Sequence, residues 1–283
     1  MTIENDLTEK YEVIVEDIEY GRPDGRPLLA RLYRPRSVTA FPSIVEVHGG
    51  AWTGNDRLAN AAIDQVIAAA GTAVLALDFR LAPASPYPAS VADVNLGIRW
   101  LKANIAKFGG DPSRIGGLGT SSGGHQLWLN VLRPHDPRYV AIKLAGDKNV
   151  DASLGFVVVC WPISDPVARY KMARETGNER LVKNHDAFFL TEAVMAEANP
   201  QTIVESGEAR NLPPCLLIQG TADANVTSDM ADRFVAAYTK AGGKIALRKF
   251  EGQPHTFIPQ NPTSPASIRA LGMITDFIRQ QTR

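Results

Sequence analysis

Two adjacent serines, Ser121 and Ser122, stand between glycine pairs in the stretch GLGTSSGGHQ, which follows a short apolar run and leads into a helical pattern. A serine becomes a nucleophile where a strand turns sharply into a helix. G-x-S-x-G is the spacing such a turn requires, because small flanking residues let the strained backbone pass close to its neighbours. Centring on Ser121 puts Gly119 and Gly123 at the two required positions, whereas centring on Ser122 would put Thr120 where a glycine belongs. Ser121 is the candidate nucleophile, and the backbone N–H of Ser122 can donate to a developing oxyanion. The alternative is a Ser/Gly turn that only starts a helix, with Ser121 as its cap.

A serine hydroxyl needs a base, and the base needs an orienting carboxylate. On a strand-turn-helix scaffold of this kind the expected chain order is Ser, then Asp or Glu, then His, each at the carboxyl end of a strand. Asp223 lies just past the apolar run CLLIQG, and His255 lies in the loop after KIALRKFEG. Taken singly, Asp223 reads as a turn residue and His255 as a loop histidine; in this order they make one acyl-transfer site. His125, one helical turn after Ser121, reads as structural, and His48 as fixing the glycine loop in VHGGAW. His135 and His185 fall in polar inserts and are expected to be solvated. Asp78, Asp93 and Asp111 precede the serine and are assigned to caps and salt bridges. The glycine loop ends an early strand, so Gly50, Ala51 and the Ser122 N–H could converge on the oxyanion. Trp52, Trp161, Phe188 and Phe189 are expected to line a small, partly aromatic substrate pocket. No His/Asp/Glu cluster has zinc spacing and no dinucleotide or phosphate-loop fingerprint is present, so neither metal nor organic cofactor is expected.

The elements that must hold these groups alternate along the chain. YEVIVEDIEY and LLARLYRP read as an antiparallel hairpin, and PSIVEVHGG, GTAVLALDF, RIGGLG, LGFVVVCWP, CLLIQG and KIALRKFEG as further strands. Helical spacing runs over Asp56–Ala70, Ala89–Lys107, Ser122–Leu132, DMADRFVAAYTKAG and Pro265–Gln281. Continuous Val/Ile/Leu strands separated by helices predict an α/β fold, a mostly parallel eight-stranded sheet covered on both faces. Asp165–Arg210 breaks this rhythm with helical pieces and no strand, the pattern of an inserted lid. The whole chain, 1–283, reads as a single domain.

Bulk properties agree with a folded catalyst. Lys+Arg and Asp+Glu both number 30 in 283 residues, which argues against nucleic acid as a partner, since that footprint needs a basic excess. Cys160 and Cys215 sit in apolar runs as small buried hydrophobes. MTIENDLTEKYEV has neither the basic nor the apolar region of a secretory signal, and no apolar run reaches the ~18 residues a membrane helix needs. A cytoplasmic protein that binds no membrane is expected. The last strand and last helix could form the edge of a homodimer.

HGGAW, DFRLAP, FGGDPSRIGGLGTSSGGH, GTADANV and PHTF, in that order, resemble the α/β-hydrolase fold, nearest its hormone-sensitive-lipase-like esterases and their feruloyl-esterase-like and kynurenine-formamidase-like relatives. The resemblance runs from about Pro42 to the carboxyl terminus. It implies a Ser121–His255–Asp223 triad, an oxyanion hole of Gly50, Ala51 and Ser122, and cleavage of a small or aromatic carboxylic ester through an acyl-enzyme. Amidase, formamidase or lactonase chemistry on the same triad, or a non-catalytic ligand-binding member of the fold, are the alternatives. The sequence departs from the family's G-D-S-A-G-G elbow at Thr120 and Ser122, and from its H-G-G-G motif at Ala51.

Overall fold

The computed structural model describes residues 11–146 and 149–283. Strands β1 (Val13–Gly21) and β2 (Leu28–Pro35) form the expected antiparallel hairpin. They lead into β3 (Phe41–Val47), α1 (Ala61–Ala69), β4 (Ala73–Leu77), α2 (Ala89–Asn104), β5 (Gly110–Thr120) and α3 (Ser122–Leu132). After β6 (Val157–Cys160) come four consecutive helices: α4 (Pro166–Glu175), α5 (Glu179–Phe189), α6 (Glu192–Glu197) and α7 (Pro200–Glu205). The chain closes with β7 (Cys215–Gly220), α8 (Ser228–Lys240), β8 (Ile245–Phe250), α9 (Phe257–Gln260) and α10 (Pro265–Gln281).

The strands form one eight-stranded sheet in the order β1-β2-β4-β3-β5-β6-β7-β8. Only the β1–β2 and β2–β4 pairs are antiparallel; from β4 to β8 every pair is parallel. Successive side chains of a strand point to opposite faces, so β3 sends Ile44 to one core and Val45 and Val47 to the other. Ile63 and Ile67 of α1 and Leu271, Ile274 and Ile278 of α10 cover the first face. Val91, Val94 and Ile98 of α2, Leu127 of α3 and Phe234 of α8 cover the second. The two cysteines are free and buried on β6 and β7.

Helix α1 starts at Ala61 rather than at Asp56. The Asp56 carboxylate accepts from the Leu58 N–H (2.9 Å), making a turn, while Arg57 turns away to bind Asp78 (2.7 Å). In the inserted segment each helix begins at a polar side chain that accepts a first-turn N–H: Asp165, Asn178, Thr191 and Asn199. Such caps satisfy donors the helix itself cannot, and they explain why this stretch folds as short helices. The insertion is tied to the body: the Tyr87 N–H donates to the Phe188 carbonyl (2.9 Å), and Arg133 grips the Glu197 carboxylate (2.5 Å). No helix among the described residues is long and apolar enough to cross a membrane.

Candidate active site

Strand order reverses around β3: the chain passes from β3 outward to β4, then back to β5 on the other side. In open parallel sheets ligands bind at the carboxyl ends of the strands flanking such a switch point. The glycine loop after β3 and the serine pair after β5 meet there. Ser121 sits at φ 51°, ψ −118° between β5 and α3, a conformation that costs a non-glycine residue of order 1–3 kcal/mol. The turn passes so close to β3 that a Cβ on Gly123 would lie 2.0 Å from the Val47 carbonyl oxygen. Only glycine fits there.

The two serines do different work. Ser121 Oγ lies 3.0 Å from His255 Nε2, and His255 Nδ1 lies 2.7 Å from Asp223 Oδ2. Since Nδ1 faces a carboxylate it carries the proton, which leaves Nε2 to accept from the serine hydroxyl. The other Asp223 oxygen accepts from the Asn225 and Val226 N–H groups, both at 2.8 Å, and Gln219 Nε2 donates to Oδ2 at 3.1 Å. The carboxylate is thus oriented by three donors besides the imidazole. Ser122 Oγ instead accepts from the Trp52 N–H (3.2 Å). The hydroxyl that departs from the usual alanine pins the glycine loop to the start of α3.

That loop is itself forced. Gly50 has φ +127°, and a Cβ there would lie 2.1 Å from the Gly54 carbonyl oxygen. Ala51 and Trp52 follow at φ 51° and 64°. Among the described residues no hydrogen bond occupies the N–H of Gly50 or Ala51. Ser122 is the first residue of α3, where helical N–H groups have no partner within the helix. Gly50 and Ala51 border the same cleft as Ser121, and Ser122 opens the helix that follows it.

Four expected pocket residues lie elsewhere. Trp52, Trp161, Phe188 and Phe189 are each 0–1% exposed, and none lines the cleft. Trp52 stacks on Phe188 (centroids 5.0 Å apart) and meets Phe189, His125 and His185 edge-on. Trp161 packs against Phe257 and beside His255. Trp52, by packing on Phe188 and Phe189, fastens α5 to the body. His185 is likewise buried rather than solvated. Its Nδ1 faces the Leu181 carbonyl (2.7 Å) and burial pushes its pKa down to about 3. His125 is buried as well. Its Nδ1 accepts from Trp52 Nε1 (3.2 Å), so its proton sits on Nε2 and is given to the Ala198 carbonyl (2.8 Å). His48 bonds Gly49 and stacks on Phe79, and His135 is exposed. Asp78 and Asp93 pair with Arg57 and Arg80, and Asp111 with Arg114.

The cleft over Ser121 has a volume of ≈ 680 Å³. A larger groove, ≈ 780 Å³, runs between α7 and α8 but holds no histidine and touches none of these residues. The wall of the cleft is polar: beside Ser121 and His255 it presents Asn55, Asn184, Asn225, Arg169 and Arg180. Sequence reasoning missed these, because they come from helices and loops whose polar residues read as solvent-facing. Among the described residues no three His, Cys, Asp or Glu side chains are grouped to hold a metal ion.

Behind the elbow lie two buried acids, Glu46 on β3 and Asp64 on α1. Asn60 Nδ2 donates to Glu46 (2.7 Å) and to Thr120 Oγ1 (3.0 Å), tying β3 to the residue before Ser121. Burial pushes the Glu46 carboxyl from its ordinary 4.5 up to about 8, and burial with the charge of Glu46 raises Asp64 as well. A group that keeps its proton longer folded than unfolded loses stability as pH rises between the two values. Between about pH 4.5 and pH 8 the wild type is expected to lose melting temperature relative to Glu46→Gln, which keeps an acceptor for Asn60 without the charge. Parallel melting curves for the two proteins over that range would contradict this.

The BD-FAE family model matches residues 31–238. Esterase LipC of Mycobacterium tuberculosis (strain ATCC 25618 / H37Rv) is 32% identical over 223 residues, 76% of this chain and 53% of that protein. Carboxylesterase NlhH of the same strain is 26% identical over 272 residues, 92% of this chain and 81% of that protein. The chain spans about half the length of LipC and of the probable carboxylic ester hydrolase LipM (53% and 49%). Among solved structures, esterase LipW from Mycobacterium marinum superposes with TM-score 0.77 at 21% identity, over 95% of this chain and 82% of that one. A Pyrobaculum calidifontis esterase gives 0.79 at 21%, over 96% and 87%. The fold is that of the α/β-hydrolases.

Proposed function

The chain belongs to the BD-FAE family, and from that premise we propose that it is a serine carboxylesterase whose triad is Ser121, His255 and Asp223. One observation carries the reading: a serine Oγ held 3.0 Å from an imidazole whose far nitrogen is 2.7 Å from a buried carboxylate. The esterase names borne by relatives and neighbours support it.

Ser121 Oγ attacks the ester carbonyl carbon as His255 Nε2 takes its proton, and the carbonyl π pair moves onto oxygen. The N–H groups of Gly50, Ala51 and Ser122 receive that charge, and each strong donor of this kind is worth ~10²–10³ in rate. Asp223 stabilises the imidazolium without taking a proton from it. Collapse expels the alcohol, protonated by His255, and leaves an acyl-Ser121. Water then repeats the sequence, freeing the acid. Of the inserted helices, α4 and α5 reach this cleft, through Arg169, Arg180 and Asn184.

Diethyl p-nitrophenyl phosphate tests the assignment. Attack by an activated serine releases p-nitrophenol and leaves a stable diethyl phosphoryl adduct. Stoichiometric release, with the added mass on the peptide containing Ser121 and concurrent loss of p-nitrophenyl acetate hydrolysis, is the expected result. An adduct on another residue with loss of activity would move the nucleophile there.

A further inference from the structure

The wall of the cleft carries charge of one sign. Its ionisable members besides His255 are Arg169 of α4 and Arg180 of α5; among the described residues no Asp or Glu lines it. The other cations of these two helices each have a carboxylate close by: Lys171 with Glu175 (3.9 Å), Arg174 with Glu192 (3.6 Å) and Lys183 with Glu179 (3.5 Å). Arg169 and Arg180 have none within salt-bridge distance among the described residues. The two without carboxylate partners are the two that line the cleft over Ser121.

Their settings differ. Arg169 is 1% exposed. Its Nε donates to the carbonyl of Asn225 (3.1 Å), its Nη2 binds the Asn225 side chain, and its Nη1 lies 3.5 Å from His185 Nε2. Every one of those partners is neutral. Among the described residues the acid acting on it is Asp223, which acts through space and is already bonded to His255, Gln219 and two backbone N–H groups. A buried guanidinium without a paired anion is costly, and here it persists in the wall of a substrate cleft. Arg180 is exposed and uncommitted at the same wall. Asn184, one turn further along α5, and Asn225 add neutral donors.

We propose that Arg180, backed by the fixed charge of Arg169, forms an anion subsite that selects esters carrying a carboxylate. The inference rests on the esterase reading above. Arg180 supplies the fork that a carboxylate accepts bidentately. Arg169 contributes the field, its own hydrogen bonds being occupied by the loop that holds Asp223.

Two matched pairs read the preference on either side of the scissile bond: p-nitrophenyl hemisuccinate against p-nitrophenyl butyrate, and p-acetoxybenzoate against phenyl acetate. The wild type is expected to favour the anionic member of at least one pair by about tenfold in kcat/KM, through KM, as one charge-assisted hydrogen bond would give. In Arg180→Gln that ratio is expected to fall about tenfold, and Arg180→Lys, which keeps the charge without the fork, to restore only part of it. Equal rates within both pairs, or a preference unchanged in Arg180→Gln, would overturn the subsite while leaving the esterase reading intact. Calorimetric titration with monoethyl succinate, comparing Ser121→Ala with Ser121→Ala/Arg180→Gln, reads the subsite without turnover. A tenfold weaker affinity in the double variant supports it even if no ester is hydrolysed, and equal affinities overturn it. Failure of the wild type to hydrolyse any of the four esters would count against the esterase reading alone.

Discussion

Ser121→Ala is expected to lower kcat for p-nitrophenyl acetate by roughly 10⁶, leaving the ~10³–10⁴ over water that oxyanion donors and binding supply on their own. The loss falls on kcat, because the hydroxyl contributes to the transition state far more than to ground-state binding. Ser122 cannot substitute for it. Its Oγ is taken up by the Trp52 N–H, and its position after the nucleophile turns it away from His255. An alanine at φ 51° bears much the same strain as the serine it replaces, so the fold is expected to survive. Circular dichroism and the melting temperature check that the variant is folded when its progress curves are read. A folded Ser121→Ala that kept a tenth of wild-type activity would sink the triad.

Trp52→Ala is the change expected to cost the most stability, about 3–5 kcal/mol for a large ring removed from a packed site. Trp52 is 1% exposed and stacked on Phe188, with Phe189, His125 and His185 at its edges and the Arg169 guanidinium 5.9 Å from its ring centre. Its removal also leaves His125 Nδ1 without its donor. Since the backbone N–H of Trp52 holds Ser122, loss of the ring should loosen the oxyanion loop and lower kcat as well. Trp52→Phe keeps most of the packing and drops only the indole hydrogen bond, a change of about 1 kcal/mol. Urea unfolding of the three proteins gives the comparison. A loss below 1 kcal/mol in Trp52→Ala would show that the cluster is not the anchor of the insertion.

The sheet was legible because its strands are apolar runs that cannot be mistaken for anything exposed, and the Ser122–Leu132 and Pro265–Gln281 helices run over the residues expected. The elbow was legible because steric need fixes residue type at fixed spacing: no side chain fits where Gly123 passes Val47. What could not be read was which way an aromatic or a cation points. Trp52 and Phe188 carry the same letters whether they line a pocket or bury each other, and the choice lies in contacts between segments far apart in the chain. The same holds for Arg169, whose surroundings in the sequence (DPVARYKMARE) are those of a solvated helix. The start of α1 was missed for a local reason, the preference of Asp56 for its own turn and of Arg57 for Asp78.

The anchoring of the inserted helices has a temporal consequence. Burial holds the His125 pKa down to about 4, so its bonds to Trp52 and Ala198 persist unprotonated across the neutral range. With Trp52 stacked on Phe188 and Arg133 gripping Glu197, the inserted helices are tied to the body of the folded protein. The entropy of ordering them is lost on folding rather than in each encounter with substrate.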